Sequence, residues 1–149
     1  MKKDVVIITA EDDAGHATLI ERNLRRAGII NEIVNIKDGQ RVLDFLFRRG
    51  KKPHRKKGAP HVLLLDIRMP KVDGVEVLRQ IKKDKELRKL PVIIITTTDD
   101  PRDVEKCHRL GCNNYMTKPI EYEKFVTAIR NLGLFLSVVE TPAINGDSK

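Results

Sequence analysis

An aspartate stands where a run of leucines stops: Leu63, Leu64 and Leu65 are followed by Asp66, then by Ile67, Arg68, Met69 and Pro70. A buried strand accounts for the leucines, but nothing in strand packing calls for an acid at its end. Residues 5–10 run into Glu11, Asp12 and Asp13 in the same way, and Ile93, Ile94 and Ile95 run into Thr96, Thr97 and Thr98. A weaker run through Tyr115 and Met116 ends at Thr117, Lys118 and Pro119. Crowded carboxylates raise one another's pKa. A hard divalent cation relieves this, and all-oxygen ligation by Glu11, Asp12 and Asp66 suits Mg²⁺. Asp66 can then act as a nucleophile toward a phosphoryl group, forming an acyl phosphate. The phosphoryl oxygens need neutralising, with Mg²⁺ as one clamp, Lys118 as a second and the Thr96 hydroxyl as a third. Singly, each residue has a plainer explanation. Acids favour helix starts, threonine favours strands, and Lys-Pro is ordinary loop chemistry. Those explanations do not cover all of them in order on one edge.

For one edge to exist, strands must alternate with helices. Strands are expected over residues 4–10, 31–36, the run ending at Asp66, residues 92–95 and residues 114–117. The first helix is expected from about residue 15 to 27, stopped by Gly28. A second begins at Asp38-Gly39 and turns Val42, Leu43, Phe45, Leu46 and Phe47 inward. A third follows the turn at residues 71–74, with Val75, Val77, Leu78 and Ile81 on its face, and ends near Lys83. Asp100 and Pro101 read as the N-cap and first position of a fourth, with Val104, Cys107, His108 and Leu110 beneath and Gly111 at its end. Phe125, Val126, Ile129 and Leu132 mark the last. Five strands, each followed by a helix, imply an α/β fold: a doubly wound, five-stranded parallel sheet with helices on both faces.

The chain of 149 residues suits one domain with a core of its own. No segment approaches the ~20 apolar residues that span a bilayer, and residues 1–4 lead into a strand rather than a signal-peptide core. A cytoplasmic protein without membrane contact is expected. The formal net charge is +8, concentrated in Arg48, Arg49, Lys51, Lys52, Arg55, Lys56 and Lys57. No aromatics are interleaved and no second helical module follows, so direct nucleic-acid binding is not expected. A solvated loop or contact with an acidic partner is. Cys107 and Cys112 flank His108 but lack the second ligand pair that zinc requires, and read as buried thiols.

In this order the motifs resemble the flavodoxin-like receiver domain of two-component response regulators, from residue 4 to about 132. The matching pieces are Glu11-Asp12, the segment from Leu64 to Pro70 with Asp73-Gly74 after it, Pro91 through Thr96, and Tyr115 to Lys118-Pro119. More narrowly, Glu11-Asp12-Asp13-Ala14-Gly15-His16, residues 96–101 and residues 134–140 look like the stand-alone regulators paired with phytochrome-type sensor kinases. The resemblance implies that Asp66 accepts a phosphoryl group from a histidine of a partner kinase. Glu11, Asp12, Asp66 and the backbone carbonyl of Arg68 would hold Mg²⁺, Lys118 and Thr96 would contact the phosphoryl oxygens, and Tyr115 would be the rotameric switch. Glu11 departs from the family's usual pair of aspartates. Phosphorylation would draw Thr96 inward, let Tyr115 follow, and re-present the surface around the fourth helix and last strand. Arg68 and Thr98 flank the site as candidates for tuning acyl-phosphate hydrolysis.

The expected organisation is a receiver over 1–133 and an extension over 134–149, apolar at first and frayed and polar from Glu140. About 17 residues follow Leu132, too few for a DNA-binding module. Output is therefore expected through protein contact, phosphorelay to a histidine phosphotransfer protein, or a homodimer. The dimer would use the fourth-helix and last-strand face or the apolar extension, which is equally compatible with a strand-like segment packed on its own sheet. No enzyme activity is expected beyond the protein's own phosphotransfer and autodephosphorylation. A dinucleotide-binding protein needs a glycine-rich turn where Glu11, Asp12 and Asp13 stand. A haloacid-dehalogenase-type phosphatase needs a second aspartate where Arg68 stands. A receiver-shaped scaffold acting without phosphorylation is the remaining alternative.

Overall fold

The computed structural model describes residues 1–146. Strands β1 (Val6–Ala10), β2 (Ile33–Ile36), β3 (His61–Leu65), β4 (Val92–Thr96) and β5 (Asn114–Thr117) form one sheet in the order β2-β1-β3-β4-β5. Every pairing is parallel. Helices α1 (Ala14–Arg26), α2 (Gly39–Phe47), α3 (Gly74–Lys83), α4 (Pro101–Leu110) and α5 (Tyr122–Leu136) connect and follow the strands. This is the doubly wound sheet expected from the sequence.

β1, β3 and β4 are buried along their whole length, as a parallel sheet covered on both faces requires. Alternate side chains go to opposite faces. Ile7, Leu64, Ile93 and Ile95 meet Ile20 and Leu24 of α1 and Phe125 and Ile129 of α5. Ile8, Leu63, Leu65 and Ile94 meet Leu43 and Leu46 of α2, Leu78 and Ile81 of α3, and Cys107 of α4. Four helices start on an aspartate whose side chain accepts a backbone N–H: Asp13 from His16, Asp38 from Arg41, Asp73 from Glu76 and Asp100 from Arg102. Such caps each contribute about 1 kcal/mol. Gly111 ends α4 at φ 102°.

Several expectations change. α5 does not stop near Leu132 but runs to Leu136, so residues 134–136 are helical rather than strand-like, with Leu136 buried and Leu134 and Phe135 exposed. His108 is exposed, because the inward stripe of α4 is narrow and only Cys107 is fully buried. Phe47, the last residue of α2, is half-buried under the Arg49 guanidinium, 4.9 Å from its ring centre. Both cysteines are buried and free, and burial pushes the Cys107 thiol up to about 11.

The basic stretch is not wholly a solvated loop. Arg55 is buried, and its Nε donates to Leu46 O at 2.7 Å while Nη1 donates to Ile144 O at 3.1 Å. Nor is the tail frayed from Glu140 onward. Ala143 bridges Pro60, Gly58 N donates to Ile144 O at 2.7 Å, and Asn145 N donates to Glu86 Oε2 at 3.1 Å. Ile144 is fully buried in the α2–α3 core. Residues 147–149 of the expected tail lie outside the described residues. Among the described residues, no helix is long and apolar enough to cross a membrane.

Residues 143–145 thus form a strap across the N-terminal end of β3, fixed by one apolar anchor. Replacing Ile144 by Ala is expected to destabilise the fold by roughly 2–5 kcal/mol, the range for emptying a buried isoleucine site. Urea denaturation measures it, and an unchanged midpoint would show the strap to be energetically idle.

Candidate functional site

The site follows from which strands are neighbours. β1 and β3 pair with Ala10 opposite Leu65, so the residues just beyond them, Glu11 and Asp66, fall side by side. β2 lies on the other side of β1, which makes the β1/β3 edge the switch point where open α/β sheets bind ligands. Asp66 N donates to Ala10 O at 3.0 Å, tying the two ends together. The loop after Asp66 folds back onto itself through Gly74. A Cβ there would lie 2.3 Å from Asp66 O, so only glycine lets α3 begin this close to the acid. Thr96 closes β4, and Lys118 follows β5 with its N–H donating to Thr96 O at 2.6 Å.

Glu11, Asp12, Asp66 and Lys118 meet, and Thr96 is tied to Lys118 through the backbone. One carboxylate oxygen from each of Glu11, Asp12 and Asp66 lies within 4.8 Å of the others. Glu11, Asp66, Thr96 and Lys118 are buried, while Asp12 is exposed. The Lys118 ammonium donates to Glu11 Oε1, to Asp66 Oδ2 at 2.9 Å and to His16 Nδ1 at 3.0 Å. Asp66 Oδ1 accepts from Arg68 N at 3.1 Å, which holds the loop carrying the Arg68 carbonyl against the acid. One buried cation therefore faces two buried carboxylates, with Asp12 beside them. Burial raises the Glu11 carboxyl to about 7 against the hydrogen bond and charge of Lys118, and the Asp66 charge adds to the rise.

Thr96 Oγ1 is fully buried and has no hydrogen-bond partner. A buried orphan of this kind costs about 1–3 kcal/mol, and its place at the rim fits a group that arrives there. The unbalanced negative charge and the all-oxygen donor set likewise fit a hard divalent cation. Tyr115 is half-buried, its hydroxyl donating to Thr98 O at 2.7 Å, and burial pushes its phenol up to about 12. Thr98 itself is engaged with α4, its hydroxyl donating to Asp103 Oδ2 at 3.2 Å. Arg68 has an exposed side chain.

Sequence reasoning gave His16 no role in the rim. It sits in the first turn of α1, where Asp13 caps its N–H, and its ring packs edge-on to Phe125 at 5.5 Å between centres. The available signal was its position three residues after a capping aspartate and four after Asp12.

The family model of the response regulator receiver domain matches residues 7–130. The chain belongs to that family. A receiver domain from Rhodospirillum rubrum is 45% identical and superposes with a TM-score of 0.88, covering 95% of this chain and 99% of that one. The response regulator Rcp1 of Synechocystis sp. is 31% identical over 139 residues, 93% of each chain. Its Mn²⁺-bound structure gives a TM-score of 0.83 at 30% identity, covering 93% of this chain and 99% of that one. The phosphorylated cyanobacterial phytochrome response regulator RcpA gives 0.82 at 28% identity, covering 92% and 97%. This receiver is thus close to stand-alone phytochrome response regulators, and its cluster of Glu11, Asp12 and Asp66 could hold a divalent metal.

Two outcomes follow for the unphosphorylated receiver. Thr96→Val removes the orphaned hydroxyl at nearly constant volume, so the resting protein is expected to gain roughly 1 kcal/mol; urea denaturation reads this, and a loss of similar size would contradict it. In a metal chelator, pH should matter through Glu11. Its carboxyl holds a proton more tightly when folded, so that contribution is complete below the ordinary value of 4.5 and is lost as pH rises through about 7. The urea midpoint should therefore fall between about pH 5 and pH 8, and Glu11→Gln should flatten the decline.

Proposed function

We propose that this receiver accepts a phosphoryl group on Asp66 from the phosphohistidine of a partner sensor kinase. It then acts as a single-domain response regulator in the cytoplasm. The observation that carries this is the buried Lys118 ammonium on Asp66 Oδ2, in a rim where Thr96 Oγ1 has no partner. An Asp66 carboxylate oxygen attacks phosphorus. The P–O bond forms, the P–N bond breaks, and its electron pair returns to the kinase imidazole. Lys118 and Thr96 move onto the phosphoryl oxygens, which carry the new charge. Glu11, Asp12, Asp66 and the Arg68 carbonyl would hold Mg²⁺, which when bound supplies counter-charge to the phosphoryl oxygens. The Mn²⁺-bound form of Rcp1 supports a divalent ion here.

Thr96 moving toward the rim vacates space beside β5. For Tyr115 to turn into it, the hydroxyl must leave Thr98 O, so the switch exchanges one hydrogen bond for another and alters the α4–β5 face. That face is the proposed contact for a histidine phosphotransfer protein or a second copy of the receiver. Beyond the proposed receiver unit of 1–133, the apolar start of the extension supplies a second candidate dimer surface, with Leu134, Phe135 and Val138 exposed. Kinship with phytochrome response regulators points to a bacteriophytochrome-type kinase as donor. Neither nucleic acid nor a membrane has a part in this output.

Incubation with Mg²⁺ and acetyl phosphate, followed by intact-mass measurement, is expected to show a gain of about one labile phosphoryl group. The gain should vanish in Asp66→Asn and in chelator. Size-exclusion chromatography of the same samples reads whether the modification changes the oligomeric state. A folded, Mg²⁺-supplied protein that gains nothing would remove the phosphoacceptor assignment and leave the scaffold alternative.

A further inference from the structure

The Lys118 ammonium has three protons and three acceptors, and the third acceptor differs in kind. Glu11 and Asp66 are carboxylates, whereas His16 offers a ring nitrogen at 3.0 Å. An ammonium can only donate, so Nδ1 of His16 carries the lone pair and the ring meets Lys118 as a neutral group. Two elements aim that ring. The Asp13 cap fixes the first turn of α1, with His16 N donating to Asp13 Oδ1 at 2.9 Å. Phe125 of α5 packs edge-on against the imidazole, at an interplanar angle of 81°. The charged groups beside His16 are Lys118 from the β5–α5 connection and Asp13 from its own cap, with Glu11 and Asp66 behind the ammonium.

We propose that His16 is a positioning residue for Lys118. Its Nδ1 keeps one N–H of the ammonium in place while the two carboxylate contacts are exchanged for phosphoryl contacts. This rests on Asp66 being the phosphoacceptor. Phosphorylation of Asp66 removes charge from the carboxylate that Lys118 holds, and Glu11 is a candidate metal ligand. The His16 contact is the one of the three that the reaction need not disturb. A neutral acceptor suits this task, because a carboxylate in its place would cancel the charge that the phosphoryl oxygens require. Without His16, one N–H of the buried ammonium loses its partner, and only the two carboxylate contacts, which the reaction exchanges, hold Lys118 in place.

The test compares wild type with His16→Leu, which removes the acceptor, and His16→Asn, whose amide oxygen restores one near the Nδ1 position. Phosphorylation by acetyl phosphate is followed by intact mass at saturating Mg²⁺. His16→Leu is expected to slow the reaction by at least about tenfold, the scale of one charge-assisted hydrogen bond, and His16→Asn to recover most of the loss. In ¹⁵N-resolved NMR of the resting wild type, His16 Nδ1 should show the shift of an unprotonated acceptor. Should His16→Leu not fold, His16→Ala carries the same comparison. A folded His16→Leu or His16→Ala reacting at the wild-type rate would overturn the proposal. So would a His16→Asn no faster than the acceptor-less variant, or a protonated Nδ1. If wild type itself gains no phosphoryl group, the Asp66 assignment falls and this proposal with it; phosphorylated wild type beside an unaffected variant overturns only the role of His16.

Discussion

The rim exists because one ammonium is buried between two carboxylates. Taking a charge out of water costs several kcal/mol unless a partner is at hand, so none of Glu11, Asp66 and Lys118 could occupy its place alone. Lys118 makes it possible to bury the two acids, and they make it possible to bury Lys118. The balance is incomplete, since two acids face one cation and Asp12 adds a third. That residual negative charge gives the site an appetite for a cation. The partnerless Thr96 hydroxyl, at the end of the neighbouring strand, adds a second unmet demand. A site that is fully satisfied at rest would have little reason to react.

Such a cluster needs rigid support, and the sheet provides it. β1, β3 and β4 are closed in by helices on both faces, so the strand ends that carry Glu11, Asp66 and Thr96 have little freedom to drift. Functional groups mounted on regular elements hold their geometry better than groups on loops. The loops have separate duties. Asp13, Asp73 and Asp100 cap helices, whereas Glu11 and Asp66 face the rim. Acids of one chemical type are thus sorted by one or two residues of position, and Gly74 leaves room for α3 to start against the back of Asp66.

Glu11, Asp66 and Thr96 were legible in the sequence because each stands where an apolar run stops, and parallel strands buried on both faces produce such runs. Lys118 follows a weaker run and was legible mainly through its place in the motif order. The doubly wound α/β fold followed from the same alternation of runs and amphipathic stretches, whereas the order β2-β1-β3-β4-β5 came only with the structure. What escaped has a common cause: a single residue whose environment differs from that of its neighbours. Arg55 sits among exposed lysines yet is buried, because it is hydrogen-bonded to carbonyls of Leu46 and Ile144 that are distant in sequence. Ile144 is one apolar residue in a polar tail and carries no periodicity to announce that it is in the core. The end of α5 lies later than expected, because the apolar residues after Leu132 continue the helix and bury Leu136 rather than forming a strand-like segment. His16 was visible as part of a motif, but its contact with Lys118 joins residues 102 apart, which no local pattern encodes.

The strap has a spatial meaning. The amino group of Met1 donates to Ser137 O, and Ala143 pairs with Pro60 at the foot of β3. The beginning of the chain and its last described segment therefore lie close together at one pole of the molecule. The rim occupies the other pole, a strand length of roughly 16 Å away. The strap and the contact of residue 1 with Ser137 are therefore set apart from the strand ends that carry the reactive groups. The two ends of the described chain are thereby held at the pole where no group of the rim lies, with the whole length of the sheet between them and Asp66.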